Sequence, residues 1–185
     1  TRGFQGVDPN HIDAEHAGTC IKHYLAYGAS TSGQDRTPAM VSPRELREKF
    51  FPPFKAAIEA GALSVMVSSS SNDGIPFHSN RELLTDWLKE GLNWDGMIVT
   101  DWADAKCLYD RDHTAPTYKD AIAQTLNAGV DMIMEPYDTL VCRYIMELAE
   151  ENTIPLERID DAVRRILRLK FRLGLFDDPL SQKSG

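Results

Sequence analysis

No apolar run in this sequence approaches the length that a membrane-spanning helix needs, and no basic-then-apolar leader opens it. A cationic excess is also missing. Asp and Glu number 28 against 20 Lys and Arg, for a formal net charge of −8, which argues against a nucleic-acid or anionic-membrane partner. The acidic residues are scattered, as on a solvated face. Cysteine is scarce: Cys20, Cys107 and Cys142 follow no zinc spacing, and the five histidines offer no His-Glu-x-x-His. Neither a metal nor another cofactor is expected. Cys20 and Cys142 stand among apolar residues and are expected to be buried thiols. No Gly-x-Gly-x-x-Gly follows a strand, which disfavours a dinucleotide fold. What remains is 185 residues of ordinary apolar content, enough for one domain with a sizeable core. The opening Thr1-Arg2-Gly3-Phe4 reads as a start in mid-domain.

The stretch that organises the chain is Gly96-Met97-Ile98-Val99-Thr100-Asp101-Trp102. Its continuous apolar run suits a parallel strand covered on both faces. The run ends in a carboxylate, and a buried unpaired carboxylate is expensive. Barrel enzymes place their chemistry at the C-terminal ends of such strands. The plain alternative is a helix cap or a loop ion pair.

The other elements follow in order. Residues 1–18 read as loop, and Thr19–Leu25 as the first strand, followed by a polar loop from Gly28 to Pro38. Ser42-Pro43-Arg44-Glu45 starts a helix, with Ser42 as cap and Glu45 completing a capping box. Pro52-Pro53 predicts a kink or two short helices before Gly61. Ala62–Ser68 is the second strand. A helix after Asn80 puts Leu83, Leu84, Trp87 and Leu88 on one face, with Gly91 as its C′ residue. A long charged loop covers Trp102–Thr117. A helix over Tyr118–Ala128 buries Ala121, Ile122, Thr125 and Leu126 and closes at Gly129. Val130–Met134 is the fourth strand. Two helices follow, one marked by Leu140, Tyr144 and Leu148, the other over Glu157–Leu173 with Ile159, Val163, Ile166 and Leu167 inward.

Four strand–helix units in a row predict an α/β fold with parallel strands and right-handed crossovers. Eight such units close a barrel, so the expectation is the second half of a (β/α)8 barrel over residues 1–176. Ile21, Val65 and Ile98 would point into its interior, and 177–185 would begin a linker to a further domain. In that arrangement the strand ends gather Lys22 and His23, Met66 with Ser68 and Ser69, Asp101 with Trp102, and Glu135 around one pocket. Ammonium and imidazole suit sugar hydroxyls, an indole packs on a sugar face, and a carboxylate can meet a cationic anomeric carbon. Lys22 near Asp101 would keep the acid ionised.

Several ordered stretches carry a family resemblance. They are Lys22-His23-Tyr24, Asp35-Arg36-Thr37-Pro38, Arg47-Glu48-Lys49-Phe50-Phe51-Pro52-Pro53-Phe54, Ser64-Val65-Met66-Val67-Ser68, the Gly96–Trp102 stretch, Asn127-Ala128-Gly129-Val130-Asp131-Met132 and Asp160-Asp161-Ala162-Val163-Arg164-Arg165-Ile166-Leu167. Together they make nearly the whole chain resemble glycoside hydrolase family 3, the β-glucosidase-type enzymes. The resemblance implies a retaining hydrolase with Asp101 as nucleophile. It implies that Lys22 and His23 hold hydroxyls of the sugar and that Trp102 lines the entrance. It also implies a general acid/base from a C-terminal domain, and a sugar-binding Asp and Arg from earlier barrel strands, all outside this chain. A periplasmic or secreted setting is favoured on the same ground. Many relatives carry Tyr just after the Met-Val-Ser segment. Ser69 stands there, a departure that bears on the local hydrogen bond to Asp101 and not on the fold. Lys22-His23-Tyr24-Leu25-Ala26 and Gly33-Gln34-Asp35-Arg36 disfavour the N-acetylglucosaminidase branch.

Beside each role stands a plainer one. Lys22 and His23 are sugar ligands or a strand-end ion pair, Trp102 a pocket wall or core, and Met66 a pocket wall or core. Arg36 reads as a loop anchor and Glu135 as a supporting or ion-paired acid. Asp110, Asp112 and His113 read as solvated loop residues, with no calcium ladder. The expected function is β-glycosidase action on terminal β-glucosyl residues of β-glucosides or oligoglucans. The alternatives are a β-xylosidase of the same family, or a non-catalytic sugar-binding or scaffold chain.

Overall fold

The computed structural model describes residues 1–179. Its strands are β1 (Cys20–Tyr24), β2 (Ser64–Val67), β3 (Ser71–Asn72), β4 (Ile75–Pro76) and β5 (Met97–Val99). β1, β2 and β5 form a parallel sheet in that order, and β3 and β4 a small antiparallel hairpin above it. The protein is thus mixed α/β around a parallel sheet.

Three regular strands replace the four expected. The segment after Gly129 lies beside β5 but pairs through one parallel bridge, Val99 with Met132. The physical reason is a side chain in the ladder. The Ile98 N–H, which a neighbouring strand carbonyl would accept, donates instead to Asp131 Oδ2 at 2.8 Å. The Val130 carbonyl is taken by Arg158. Met132 still exchanges backbone bonds with Ile98 and Thr100.

Register places Ile21, Val65 and Ile98 side by side. Val65 and Ile98 are fully buried, in one cluster with Leu84, Leu88 and Trp87, and Ile21 packs against that cluster. They face the helices, so the expectation that they point into a barrel interior is wrong by one residue of the pleat. The other face carries Cys20, Lys22, Ser64, Met66, Met97 and Val99. Cys20 and Lys22 on it are exposed and Met66 half-buried. Cys20 and Cys142 are therefore exposed, contrary to expectation, and Cys107 is half-buried.

The helices are α1 (Arg2–Gln5), α2 (Pro43–Glu45), α3 (Phe51–Glu59), α4 (Asp104–Asp110), α5 (Tyr118–Ala128), α6 (Leu140–Glu150) and α7 (Leu156–Arg172). Within the opening loop, α1 buries Gln5, which donates to the Gly61 carbonyl at 2.6 Å and accepts from the Thr19 N–H. Ser42 Oγ accepts from the Glu45 N–H, while the Glu45 carboxylate pairs with Lys49 rather than closing a capping box. Between α2 and α3 the chain winds a wide i→i+5 turn over Leu46–Phe50, and the helix continues through Pro52-Pro53. Those prolines fall in the first turn of α3, where their missing N–H groups cost least. A second wide helix covers Glu82–Glu90 and buries Leu83, Leu84, Trp87 and Leu88 as predicted. Gly91 keeps helical φ, and the left-handed position falls to Asn93.

α5 matches its predicted bounds, with Thr117 as cap and Gly129 at φ 121°. α7 differs. Val163 is 46 % and Leu167 39 % exposed, and only Ala162 is buried. Ile159 packs inward on the cluster of Ile122, Leu126 and Leu148 as expected, and arginines dock the rest of the helix. Arg165 donates to the carbonyls of Trp94 and Gly96, Arg168 to that of Asp95, and Arg172 to the Asp95 carboxylate. An ionic knot of buried Lys89 and Asp131 with Arg158 and the half-exposed Asp161 joins α7 to the segment beside β5. Of the expected linker 177–185, Asp177 and Asp178 turn back onto Gly174, and 180–185 lie outside the described residues.

Candidate active site

Asp101 follows β5 and is 8 % exposed. Its two oxygens differ. Oδ1 accepts from the Trp102 N–H at 2.6 Å and from Arg36 Nη2 at 3.3 Å. Among the described residues, Oδ2 is paired with His23 Nε2, at 3.8 Å. The backbone N–H of Asp101 donates to His78 Nε2 at 3.2 Å.

The cation on Asp101 is therefore Arg36, not Lys22. Lys22 is exposed and forms no ion pair with Asp101 among the described residues. Arg36 reaches the site because its loop is tied into a fixed shape. Tyr27 donates to Asp35 at 2.7 Å, Ser32 bonds Thr37, and Arg36 itself sits at φ 59°. Ala103, just past Asp101, also occupies the left-handed region. Such residues cost roughly 1–3 kcal/mol and cluster where function fixes the backbone.

His23 stacks on Tyr27 with centroids 4.5 Å apart. Burial holds its pKa below the ordinary imidazole value, with Asp101 opposing and Lys22 adding to the shift. It is accordingly neutral at pH 7 and can donate to a hydroxyl. Lys22 and Met66 lie on the open face of the sheet, by the pleat. Trp102 is 49 % exposed, and its indole N–H donates to Tyr137 Oη at 2.8 Å. The two rings meet edge-on. Glu135 accepts from Tyr118 Oη and from the Tyr137 N–H, so it braces the residue that holds Trp102.

Ser69 is fully buried, away from the open face. Its hydroxyl donates to Asp104 Oδ1 at 2.7 Å and accepts from Arg111 at 3.0 Å. Asp104 belongs to α4, a helix inside the stretch expected to be loop; Asp104, Ala105 and Leu108 are its buried residues. Asp112 is not a solvated acid: both its oxygens hold Arg111. Burial pushes the Cys107 thiol up to about 12, with Asp104 adding to the effect.

Arg36, His78, Asp104, Arg111 and Tyr137 are thus the participants that sequence reasoning missed or misplaced. A faint signal existed for Asp104: an acid three residues after Asp101 repeats at one helical turn. Nothing local marks His78. Chemically, a largely buried carboxylate with one oxygen held by Arg36 and the Trp102 N–H and the other facing a neutral imidazole can attack or stabilise a cationic carbon of a hydroxylated ring. Among the described residues no grouping of His, Cys, Asp or Glu suits a metal ion.

Comparison with known proteins bears on this arrangement. A family model described as the glycosyl hydrolase family 3 N terminal domain matches residues 2–169. A lysosomal beta glucosidase of Dictyostelium discoideum is 42 % identical over 96 % of this chain and 22 % of its own length. A beta-xylosidase of Formosa agariphila is 35 % identical over 95 % of this chain and 25 % of its own. A crystal structure of a variant β-glucosidase from Listeria innocua in complex with laminaribiose superposes with a TM-score of 0.91 at 34 % identity, over 100 % of this chain and 25 % of that one. This chain spans about a quarter of the length of these relatives.

Proposed function

Because this chain belongs to glycosyl hydrolase family 3, we propose that it forms part of the catalytic domain of a longer, retaining β-glycosidase with Asp101 as nucleophile. The observation that carries this reading is the inequality of the Asp101 oxygens. Oδ1 is engaged by two donors and holds the carboxylate in place. Oδ2 is free to attack. In the first step Oδ2 bonds to the anomeric carbon and the glycosidic C–O bond breaks. The leaving oxygen takes its proton from an acid outside these residues. In the second step water gives a proton to that same outside group, attacks the same carbon, releases the sugar with its configuration retained, and returns Asp101 to a carboxylate. Lys22 and neutral His23 bond sugar hydroxyls, Trp102 offers its face, and Met66 lines the floor. Ser69 supports α4 rather than touching sugar. The sheet is read as part of the later half of a (β/α)8 barrel, residues 1–176, closed by strands outside this chain.

The preferred substrates are β-glucosides or oligoglucans, in line with a relative bound to laminaribiose. A β-xyloside is the second reading, favoured by the Formosa relative's name. Substituting Asp101→Gly in the full-length protein tests the role. Turnover of an aryl β-glucoside is lost, and added azide restores it with an α-glycosyl azide as product. Turnover that survives the substitution removes Asp101 from the chemistry.

A further inference from the structure

We infer that His78, locked in one tautomer by Asp104, is a positioning residue that holds the Asp101 peptide in its reactive orientation. The inference rests on the reading of Asp101 as the reacting carboxylate. It follows from a chain of forced donor and acceptor roles. His78 is fully buried, in the turn after β4. Its Nε2 accepts from the Asp101 N–H, so that nitrogen carries no proton. In a neutral ring the proton must then sit on Nδ1. Nδ1 lies 3.4 Å from Asp104 Oδ2, and neither atom has a hydrogen-bond partner among the described residues, so each is the other's nearest complement: a ring N–H facing a carboxylate oxygen. Burial pushes the His78 pKa down to about 4, which keeps the ring neutral.

Asp104 is oriented in turn. Its Oδ1 accepts from Ser69 Oγ and lies 3.6 Å from Arg111 Nη1. Both of those neighbours are donors, so Oδ1 must remain an acceptor. Arg111 is itself fixed by both oxygens of Asp112. The Asp101 peptide lies immediately before the Trp102 N–H that grips Oδ1. A tilt of that peptide therefore moves the carboxylate.

Asp104→Asn separates this role from mere packing. The asparagine carbonyl must stay toward Ser69 and Arg111, which turns its NH₂ toward His78 Nδ1. The His78 proton then moves to Nε2, where it opposes the Asp101 N–H. His78→Gln offers a carbonyl to Asp101 and an amide to Asp104, and so preserves both roles. The experiment measures how fast a 2-fluoro glycoside labels Asp101 in the full-length wild type and in both variants, with thermal unfolding as a check. Labelling slows by about 10²-fold in Asp104→Asn and stays within about 10-fold in His78→Gln. Unchanged labelling of Asp101 in a folded Asp104→Asn overturns the inference and leaves the nucleophile assignment standing. Label on another residue in the wild type overturns that assignment instead. Histidine ¹⁵N NMR of the wild type gives a readout that needs no variant. A His78 proton on Nδ1 is expected, and one on Nε2 overturns the inference.

Discussion

Asp101 is held by groups that differ in reach and charge, and each can be separated by substitution. Arg36 and the Trp102 N–H grip one oxygen, while His23 stands off the other by 3.8 Å. That longer contact leaves room for a sugar. If Lys22 and His23 bond hydroxyls more strongly in the transition state than in the ground state, each alanine variant lowers kcat/KM by about 10²-fold, or about 3 kcal/mol. Steady-state kinetics of folded variants check this, and unchanged values would make both residues structural. His78 adds a pH dependence to stability. Its pKa falls from 6.5 to about 4 on folding, chiefly through burial. Between those values the unfolded chain binds the extra proton, so stability is intact above pH 6.5 and declines as pH falls toward 4. The full contribution is about 3 kcal/mol. Urea unfolding between pH 7 and 4 should show a steeper loss for wild type than for His78→Gln; parallel curves would contradict the buried neutral imidazole.

Among the elements, α5 was readable from the sequence because its burial follows the helical period and Gly129 ends it at a φ that favours glycine. The strand carrying Asp101 was readable for a similar reason, as an apolar run stopped by an acid. α4 was not. Its buried face includes Asp104, and the distant Ser69 and His78, with Arg111 at the helix's own C-terminus, make that burial tolerable. The same holds for Arg36, whose approach to Asp101 depends on loop ties that no periodicity records. Three consecutive apolar residues, Met97-Ile98-Val99, give no phase, so the sequence does not say which face Ile98 presents. In α7 the apolar period locates the helix and the inward Ile159, but Val163 and Leu167 are exposed, and four arginines make the polar contacts to the body of the protein. Arg165→Met tests that last point. It removes charged donors to two carbonyls and a pair with Asp161. A loss of about 1.5–3 kcal/mol is expected by chemical denaturation. A change below experimental error would mean that the apolar contacts of Ile159 and Ala162 suffice to dock the helix.

At the scale of the whole molecule, one side of the sheet is only partly covered among the described residues: Ser64, Met97 and Val99 on it are buried, but its β1 end is open. Cys20 and Lys22 are exposed on it, Met132 is 43 % exposed beside it, and β1 ends the sheet with a free edge. In a closed barrel these groups would meet further strands. Expressed alone, residues 1–185 are expected to be inactive and either to self-associate or to be only marginally folded, because exposed edges template pairing and, on the proposed reading, loss of an outside general acid forfeits roughly 10²–10⁴-fold. Light scattering and an aryl β-glucoside assay check both; a monodisperse, active monomer would remove the half-barrel proposal. The central claim is the chemical role of Asp101, and it is tested most directly by trapping. The full-length protein is inactivated with a 2-fluoro β-glucoside, digested, and the labelled peptide sequenced by mass spectrometry. The prediction is a single glycosyl ester on Asp101, in the peptide containing Val99-Thr100-Asp101-Trp102. An ester on any other carboxylate contradicts it.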